Sequence, residues 1–268
     1  MDAQGPLCVG IDPHPSLLLS WGLSDDVKGL EAFSRTAGEA LAGRVAAVKP
    51  QSAFFERFGS RGIAVLESVI RQLREAGTLV ILDVKRGDIG STAAAYADAY
   101  VDPASPLCSD AVTVSPYLGF GALRPIIDKA QRHGLGAFVL ALTSNPEGAA
   151  VQRAIAAGGR TVAQTIIDEI SQVNAGVEPL GDVGVVIGAT VGPTGHELTH
   201  LNGPILAPGL GAQGGRAEDL RAVFGDALGD VLPSWSREVL AAGPDPAALR
   251  AAVERARDSC ASAIAVTA

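Results

Sequence analysis

Two aspartates, a lysine and an arginine follow an apolar run in the segment ILDVKRGDIGST, residues 81 to 92. Side chains two positions apart on a strand lie on the same face, so Asp83 and Lys85 are expected to point the same way. A fixed ammonium beside a carboxylate can stabilise developing negative charge and then deliver a proton. Paired charges also occur as structural ion pairs, so an ion-pair cluster that only fills a core is the alternative interpretation.

Two further charged residues end neighbouring apolar runs. Asp12 follows the first run of the chain and Lys49 ends the second. The carboxyl ends of parallel strands in a barrel meet at one rim, which is also where barrel enzymes place their active sites. We therefore expect these two side chains to converge with Asp83 and Lys85.

Short apolar runs recur along the whole chain and lack strict alternation, as expected of strands that are buried on both faces. The segments between them are mostly long enough for a helix, and residues 61 to 77 and 150 to 174 carry apolar residues at helical spacing. This alternation predicts a single-domain α/β protein, a (β/α)8 TIM barrel that spans residues 1 to 268, and a glycine-rich segment after the seventh run indicates a barrel of the phosphate-binding type. The predicted strands are residues 7 to 11, 44 to 49, 78 to 85, 110 to 114, 136 to 142, 183 to 189, 204 to 208 and 230 to 233.

The composition excludes several classes of protein. The chain has 268 residues, of which 47% are hydrophobic, and a formal net charge of −8, which argues against a nucleic-acid or anionic-membrane surface. The N-terminus has no basic region, and no apolar run approaches the ~18 residues that span a bilayer. Three widely spaced cysteines do not form a disulfide framework or a metal motif. We expect a cytoplasmic protein with reduced cysteines and no membrane segment.

A glycine-rich segment, GLGAQGG at residues 209 to 215, follows the seventh predicted strand. Loops after strands seven and eight of such barrels often bind phosphate through backbone N–H groups. Arg237 follows the eighth strand and offers a fork-shaped donor for the same anion. A dinucleotide loop is an alternative for the glycine-rich segment, although such loops follow the first strand. A flexible turn beside a surface arginine is the simplest alternative.

The segment VILDVKRGDIGSTA resembles the signature of the orotidine 5′-phosphate decarboxylase family, in which D-x-K-x-x-D-I is followed by a threonine. The segments GIDPHP, AAVKPQSAFFE, TSNPEG and APGLGAQGG also resemble that family, and so the resemblance covers most of the chain. The length and the segment SWSREV are similar to the longer bacterial branch of the family.

The resemblance implies an enzyme of pyrimidine biosynthesis that decarboxylates orotidine 5′-monophosphate to uridine 5′-monophosphate. It implies that the enzyme uses no metal or organic cofactor and is a homodimer with shared active sites. Lys85 would protonate C6 of the pyrimidine, Asp83 would lie against the departing carboxylate, and Lys49 would hold Asp83 and a ribose hydroxyl. Asp88 would reach into the neighbouring subunit's site and complete the catalytic set.

The resemblance also implies a set of substrate-binding residues. Asp12 would bind the ribose, Ser144 the pyrimidine, and Gln213 and Arg237 the phosphate. Pro208 and Gln213 would belong to a closing loop, and Ile89 and Thr92 would join Asp88 in the neighbouring site. One departure is that Ser236 stands where shorter family members have a glycine whose N–H also binds phosphate. The contribution of this second backbone donor is therefore open.

Three rival hypotheses come from the sequence. Residues 195 to 200, GHELTH, contain the H-E-x-x-H pattern of zinc metalloproteases, but glycines and prolines surround it, and the simpler interpretation is a short, solvated helix start. A magnesium-dependent sugar-phosphate decarboxylase or aldolase of the same barrel group shares D-x-K-x-x-D, but presents a glutamate where this chain has Lys49. A non-catalytic barrel that binds nucleotide phosphate is the third alternative, although binding alone does not need Lys85 beside Asp83.

Overall fold

Eight parallel strands form the centre of the protein. The computed structural model describes residues 4–265. The strands are β1 (Cys8–Ile11), β2 (Ala47–Pro50), β3 (Leu79–Arg86), β4 (Ala111–Val114), β5 (Gly136–Leu142), β6 (Val183–Ile187), β7 (Ile205–Pro208) and β8 (Val231–Trp235). They pair in chain order, and β8 pairs with β1 to close the barrel. The predicted α/β fold, a (β/α)8 TIM barrel, is confirmed.

Helices surround the barrel and connect successive strands. They are α1 (Pro15–Ser20), α2 (Val27–Leu41), α3 (Ala53–Glu56), α4 (Ser60–Glu75), α5 (Gly90–Tyr100), α6 (Arg124–Arg132), α7 (Ala149–Gln152), α8 (Val162–Asn174), α9 (Leu220–Phe224), α10 (Arg237–Leu240) and α11 (Pro246–Ala265). Short 3-10 helices span Phe120–Leu123, Pro146–Gly148, Ala217–Asp219 and Gly225–Asp230. The long helices bury one apolar face against the strands, which is the packing that their periodic apolar residues predict.

The prediction of one helix over residues 150 to 174 was wrong at its N-terminal half. The structure has the short helix α7, then a turn in which Ile155 pairs with Thr161, and then α8. Gly159 in this turn has φ +79°, a left-handed conformation that a continuous helix does not contain. The Thr161 side chain accepts a hydrogen bond from the N–H of Gln164 and thereby caps the start of α8.

The barrel interior has an apolar floor made of one side chain from each strand. These side chains are Cys8, Ala47, Ile81, Ala111, Phe138, Val186, Leu206 and Leu232. Inward positions on a strand repeat every two residues, so the next inward residues along β2, β3 and β4 are Lys49, Asp83 and Thr113. All three are buried. A layer of polar side chains therefore lies on the apolar floor, at the end of the barrel where the strands finish.

A second and larger apolar core lies between the strands and the helices. Cys8, Cys108 and Cys260 are buried and unpaired. Among residues 4–265, no helix is both long enough and apolar enough to cross a membrane.

Candidate active site

The carboxylate of Asp83 is the centre of the polar layer at the barrel mouth. One of its oxygens, Oδ2, accepts hydrogen bonds from Lys49 Nζ at 2.8 Å and from Gln51 Nε2 at 3.1 Å. The other, Oδ1, accepts from Lys85 Nζ at 2.6 Å and from Thr113 Oγ1 at 2.8 Å. Four donors on a buried carboxylate fix its position and orientation.

The charges of this cluster hold one another ionised. Burial alone would raise the pKa of the Asp83 carboxyl, but the charges of Lys49 and Lys85 and their hydrogen bonds lower that pKa well below its ordinary value. Burial alone would lower the pKa of the Lys49 ammonium, but the negative charges of Asp83 and Asp12 raise it above its ordinary value. At neutral pH the site therefore contains an ionised lysine and an ionised aspartate beneath a cleft. Such a preorganised array can act on charge that develops in a bound molecule.

Lys85 lies at an irregularity in the sheet. The register of β3 with β4 shifts between the pair Leu82 and Val112 and the pair Arg86 and Val114. Lys85 itself has φ +46°, a left-handed conformation that is uncommon for a residue with a side chain. Unlike Asp83, its side chain is 45% exposed. The irregularity therefore places one end of the ion pair in the core and the other in the cleft.

Asp12 lies across the cleft, just after β1. Ser236 donates a hydrogen bond from its hydroxyl to Asp12 Oδ2, while the buried atom Asp12 Oδ1 has no partner among the described residues. Gly10 leaves the space for this contact, because a Cβ at that position would lie 2.8 Å from Ser236 Oγ. The serine that departs from the shorter family pattern thus contacts the aspartate expected to bind the ribose.

The loops after β7 and β8 close the opposite side of the cleft. Its lining there includes Pro208, Gln213 and Arg237. Within the glycine-rich loop, Gly211 N–H donates to Gly215 O at 2.8 Å, and Gly215 N–H donates to Gly209 O at 3.1 Å. These two N–H groups are used inside the loop in this conformation, whereas the side chains of Gln213 and Arg237 are donors that line the cleft.

Seven of the predicted site residues line one cleft. They are Asp12, Lys49, Asp83, Lys85, Pro208, Gln213 and Arg237. Ser144 is exposed on the loop after β5, next to Thr143, which does line the cleft. Three others, Asp88, Ile89 and Thr92, are not among the residues that line it. They lie just beyond the end of β3 and at the start of α5.

The sequence indicated no role for Gln51 or Thr113, and it placed Ser236 only beside the phosphate. Gln51 and Thr113 bind Asp83, and Ser236 binds Asp12. Thr113 could have been found from strand periodicity, because it follows the floor residue Ala111 by two positions on β4. No comparable pattern indicates Gln51, since it follows the last residue of β2.

The H-E-x-x-H segment does not form the helix start predicted for it. Residues 195 to 202 are loop with a single turn at positions 199 and 200, and the backbone has positive φ at Gly195 and Asn202. His196 Nε2 lies 2.8 Å from Thr161 Oγ1, and Glu197 pairs with Arg160 at 2.9 Å. Among residues 4–265, no group of three or more His, Cys, Asp and Glu side chains is arranged to hold a metal ion.

The sequence matches one known protein family over most of its length. The family described as orotidine 5′-phosphate decarboxylase / HUMPS matches residues 5–252. The chain belongs to this family. Within the orotidine 5′-phosphate decarboxylases, a relative from Salinispora arenicola is 72% identical over 261 residues, which cover 97% of this chain and 94% of the relative. A second relative, from Streptomyces coelicolor, is 60% identical over 255 residues, covering 95% of this chain and 92% of the relative.

Solved structures agree with the sequence relatives. A crystal structure of a Streptomyces avermitilis protein designated an orotidine 5′-phosphate decarboxylase superposes with a TM-score of 0.96 at 59% identity, covering 99% of this chain and 93% of that one. The orotidine 5′-monophosphate decarboxylase of Leishmania donovani superposes with a TM-score of 0.74 at 31% identity, covering 97% of this chain and 94% of that one. The family resemblance inferred from the D-x-K-x-x-D-I signature is confirmed.

Proposed function

We propose that this protein decarboxylates orotidine 5′-monophosphate to uridine 5′-monophosphate, a step of pyrimidine biosynthesis. The observation that carries the proposal is the position of Asp83, which lies between the ammonium groups of Lys49 and Lys85 at the mouth of the barrel. The close identity to orotidine 5′-phosphate decarboxylases over nearly the whole chain supports the same activity.

Lys85 supplies the proton in this proposal. Breaking the bond between C6 and the carboxylate releases carbon dioxide and leaves the electron pair on C6. An ammonium fixed beside that carbon stabilises the developing charge and then donates a proton to form the new C6–H bond. The resulting neutral lysine amine regains a proton from water. A proton donor must reach the substrate and must be held in a fixed position. The Lys85 side chain is half-exposed in the cleft, and its Nζ lies 2.6 Å from Asp83 Oδ1.

Asp83 and Lys49 provide the electrostatic frame for this step. Asp83 lies against the substrate carboxylate in the proposed complex, and its negative charge favours release of carbon dioxide over retention of the carboxylate. Lys49 keeps Asp83 ionised, since it binds Asp83 Oδ2 at 2.8 Å from inside the barrel. We infer that Lys49 also binds a ribose hydroxyl, together with Asp12, whose Oδ1 atom is buried and has no partner in the described part of the chain.

Phosphate binding at the far side of the cleft positions the reacting end. Arg237 and Gln213 are proposed to bind the phosphate, and Pro208 and Gln213 to move with a loop that closes over the substrate. Binding energy from a group that does not react can be used to close a site and exclude water. Ser144 would contact the pyrimidine after such a closure, since it is exposed beside the cleft.

We further infer a homodimer in which Asp88, Ile89 and Thr92 serve the neighbouring active site. These residues do not line the cleft of their own chain. Ile89 is 61% exposed, and Tyr117 and Leu118 are 80% and 54% exposed on the loop after β4. This loop contacts the end of β3, where the N–H of Ser115 donates to Arg86 O at 2.9 Å. Contiguous exposed apolar residues commonly mark an interface. The unpaired cysteines suit the reducing cytoplasm, which we propose as its location.

The test is to add orotidine 5′-monophosphate to the purified protein and to follow its ultraviolet absorbance. We expect the absorbance to change with turnover and uridine 5′-monophosphate to form, as identified by chromatography. The Lys85→Ala variant is the matched control, because it removes the proposed proton donor at a partly exposed position. Unchanged absorbance with well-folded protein contradicts the proposed function.

A further inference from the structure

Thr113 occupies the irregularity between β3 and β4. The paired residues on either side of it are Leu82 with Val112 and Arg86 with Val114, so the three residues 83 to 85 of β3 lie opposite one residue of β4. Extra residues on one strand interrupt the ladder of backbone hydrogen bonds. At this interruption the N–H of Lys85 donates to the side chain of Thr113, at 3.0 Å from Oγ1, rather than to a backbone carbonyl.

The hydroxyl of Thr113 makes two hydrogen bonds whose directions are fixed. Asp83 is an ionised carboxylate and only accepts, so Thr113 Oγ1 donates its one proton to Asp83 Oδ1 at 2.8 Å. The backbone N–H of Lys85 only donates, so it uses a lone pair of the same oxygen. The two bonds are compatible and each polarises the hydroxyl in favour of the other. One buried oxygen therefore connects the carboxylate of Asp83 to the backbone of Lys85.

The backbone of Lys85 needs such a support. Its φ of +46° is unfavourable for a residue with a side chain, and such conformations persist only where the surroundings hold them. Loss of the Thr113 acceptor leaves the Lys85 N–H without this partner and releases one restraint on the left-handed backbone. The position of the Lys85 ammonium relative to the Asp83 carboxylate would then no longer be fixed by a shared hydrogen-bonding partner.

We propose that Thr113 is a positioning residue that sets the placement of the Lys85 ammonium relative to the Asp83 carboxylate. The inference rests on the proposed decarboxylase function. Thr113 lines the floor of the cleft but is 1% exposed, and its hydroxyl already binds Asp83 and the N–H of Lys85, so we assign it an action through these two residues. Its loss is therefore expected to lower kcat while leaving substrate affinity almost unchanged, since the phosphate and ribose contacts lie elsewhere in the cleft.

Two matched pairs of variants test the role of the hydroxyl. Thr113→Val removes the hydroxyl and keeps the shape, whereas Thr113→Ser keeps the hydroxyl and removes the methyl group. Thr113→Ala differs from Thr113→Ser by the hydroxyl alone. We expect kcat to fall about ten- to a hundredfold from Thr to Val and from Ser to Ala, because small displacements of reacting groups have effects of this size. We expect KM and the dissociation constant of uridine 5′-monophosphate to change by less than about threefold.

The outcomes separate this inference from the proposed function. An unmodified protein that does not turn over orotidine 5′-monophosphate contradicts the proposed function itself. If the unmodified protein is active, two comparisons decide the positioning role. The role is overturned if kcat of Thr113→Val is within about threefold of that of the unmodified protein and kcat of Thr113→Ala is within about threefold of that of Thr113→Ser. Loss of activity in Thr113→Ser equal to that in Thr113→Val overturns it as well. If neither hydroxyl-free variant folds by circular dichroism and urea titration, Thr113 serves stability and the inference is wrong.

Discussion

Lys85 Nζ lies 2.6 Å from Oδ1 of Asp83, a residue of the same strand only two positions earlier. The two groups differ in their surroundings, since the side chain of Asp83 is 7% exposed and that of Lys85 is 45% exposed. Asp83 also binds Lys49 on its other oxygen, and so the carboxylate remains paired if Lys85 is removed. We therefore expect that Lys85 can be replaced without unfolding the protein, whereas replacing Asp83 destabilises it.

The first prediction is that Lys85→Ala is folded but inactive. We expect turnover to fall on the order of 10³-fold or more, because general acid catalysis contributes about that much. Stability should change by less than about 1 kcal/mol, since the ion pair it removes is partly exposed and screened. Turnover of orotidine 5′-monophosphate and urea unfolding measure the two effects. Near-full turnover in this variant would exclude Lys85 as the proton donor.

The second prediction concerns Asp83 and acid. Because the folded-state pKa of Asp83 is lowered, its ionisation stabilises the protein above the ordinary aspartate pKa of about 4, and this contribution is lost as the pH falls towards the folded-state value. Asp83→Asn removes the partner of the buried Lys49 and should cost about 3–5 kcal/mol at pH 7. The difference in unfolding free energy between this variant and the unmodified protein should narrow at pH 3, as measured by urea titration. If the difference in unfolding free energy is the same at pH 7 and pH 3, the ionisation of Asp83 does not contribute to stability in this way.

The third prediction is that turnover does not require a metal ion. Asp83, the most buried carboxylate of the site, already accepts hydrogen bonds from two lysines, and a divalent cation would have to displace one of them. Dialysis against a strong chelator should therefore leave kcat unchanged. Activity that disappears and returns with magnesium would instead support a sugar-phosphate enzyme of the same barrel group.

The fourth prediction assigns the phosphate to Arg237. Arg237→Ala should raise KM and weaken binding of uridine 5′-monophosphate about ten- to a hundredfold, as expected for loss of charged hydrogen bonds. Uridine lacks the phosphate and is the matched control, so its affinity should be the same for the variant and the unmodified protein. Arg216, which lies outside the cleft and pairs with Glu218, provides a control variant on the neighbouring loop. If Arg237→Ala loses as much affinity for uridine as for uridine 5′-monophosphate, Arg237 does not bind the phosphate.

Strand positions were predictable from the sequence, whereas the local geometry of the site was not. The run at residues 136 to 142 coincides with β5 because a strand buried on both faces must be apolar throughout. The predicted second strand began three residues too early, since Arg44, Val45 and Ala46 precede β2. The irregularity at residues 83 to 85 depends on the register with β4, and no local pattern in β3 encodes the register of its partner.

The residues that connect different strands were missed for the same reason. Ser236 follows β8 and binds Asp12, which follows β1, so their contact exists only because the barrel closes between these two strands. The sequence indicated Asp12 and Arg237 through their positions just after the first and the eighth predicted strands, and the family resemblance added their expected ligands. It carried no signal that the serine between β8 and Arg237 would hold Asp12.

The last prediction tests whether Asp88 acts across a dimer. Lys85→Ala and Asp88→Asn should each be nearly inactive alone. If the two variants are unfolded and refolded together at equal ratio, about half of the dimers should be hybrids. In each hybrid, one site combines Lys85 of the second variant with Asp88 of the first, and this site is intact. About a quarter of all sites should then be native, so activity should recover to that fraction of the unmodified enzyme.

A mixture that recovers no activity would place Asp88 in the active site of its own chain. If Asp88 serves the site of its own chain, every site in a hybrid carries one lesion, and mixing restores nothing. Refolding each variant by itself is the control, and mass spectrometry of the intact dimers confirms that hybrids have formed. The present position of Asp88 favours recovery, because it binds the N–H of Ile89 at 2.8 Å on the rim and is not among the residues that line the cleft of its own chain. Hybrid dimers without recovered activity would contradict the shared site while leaving the decarboxylase activity of Lys85 and Asp83 in place.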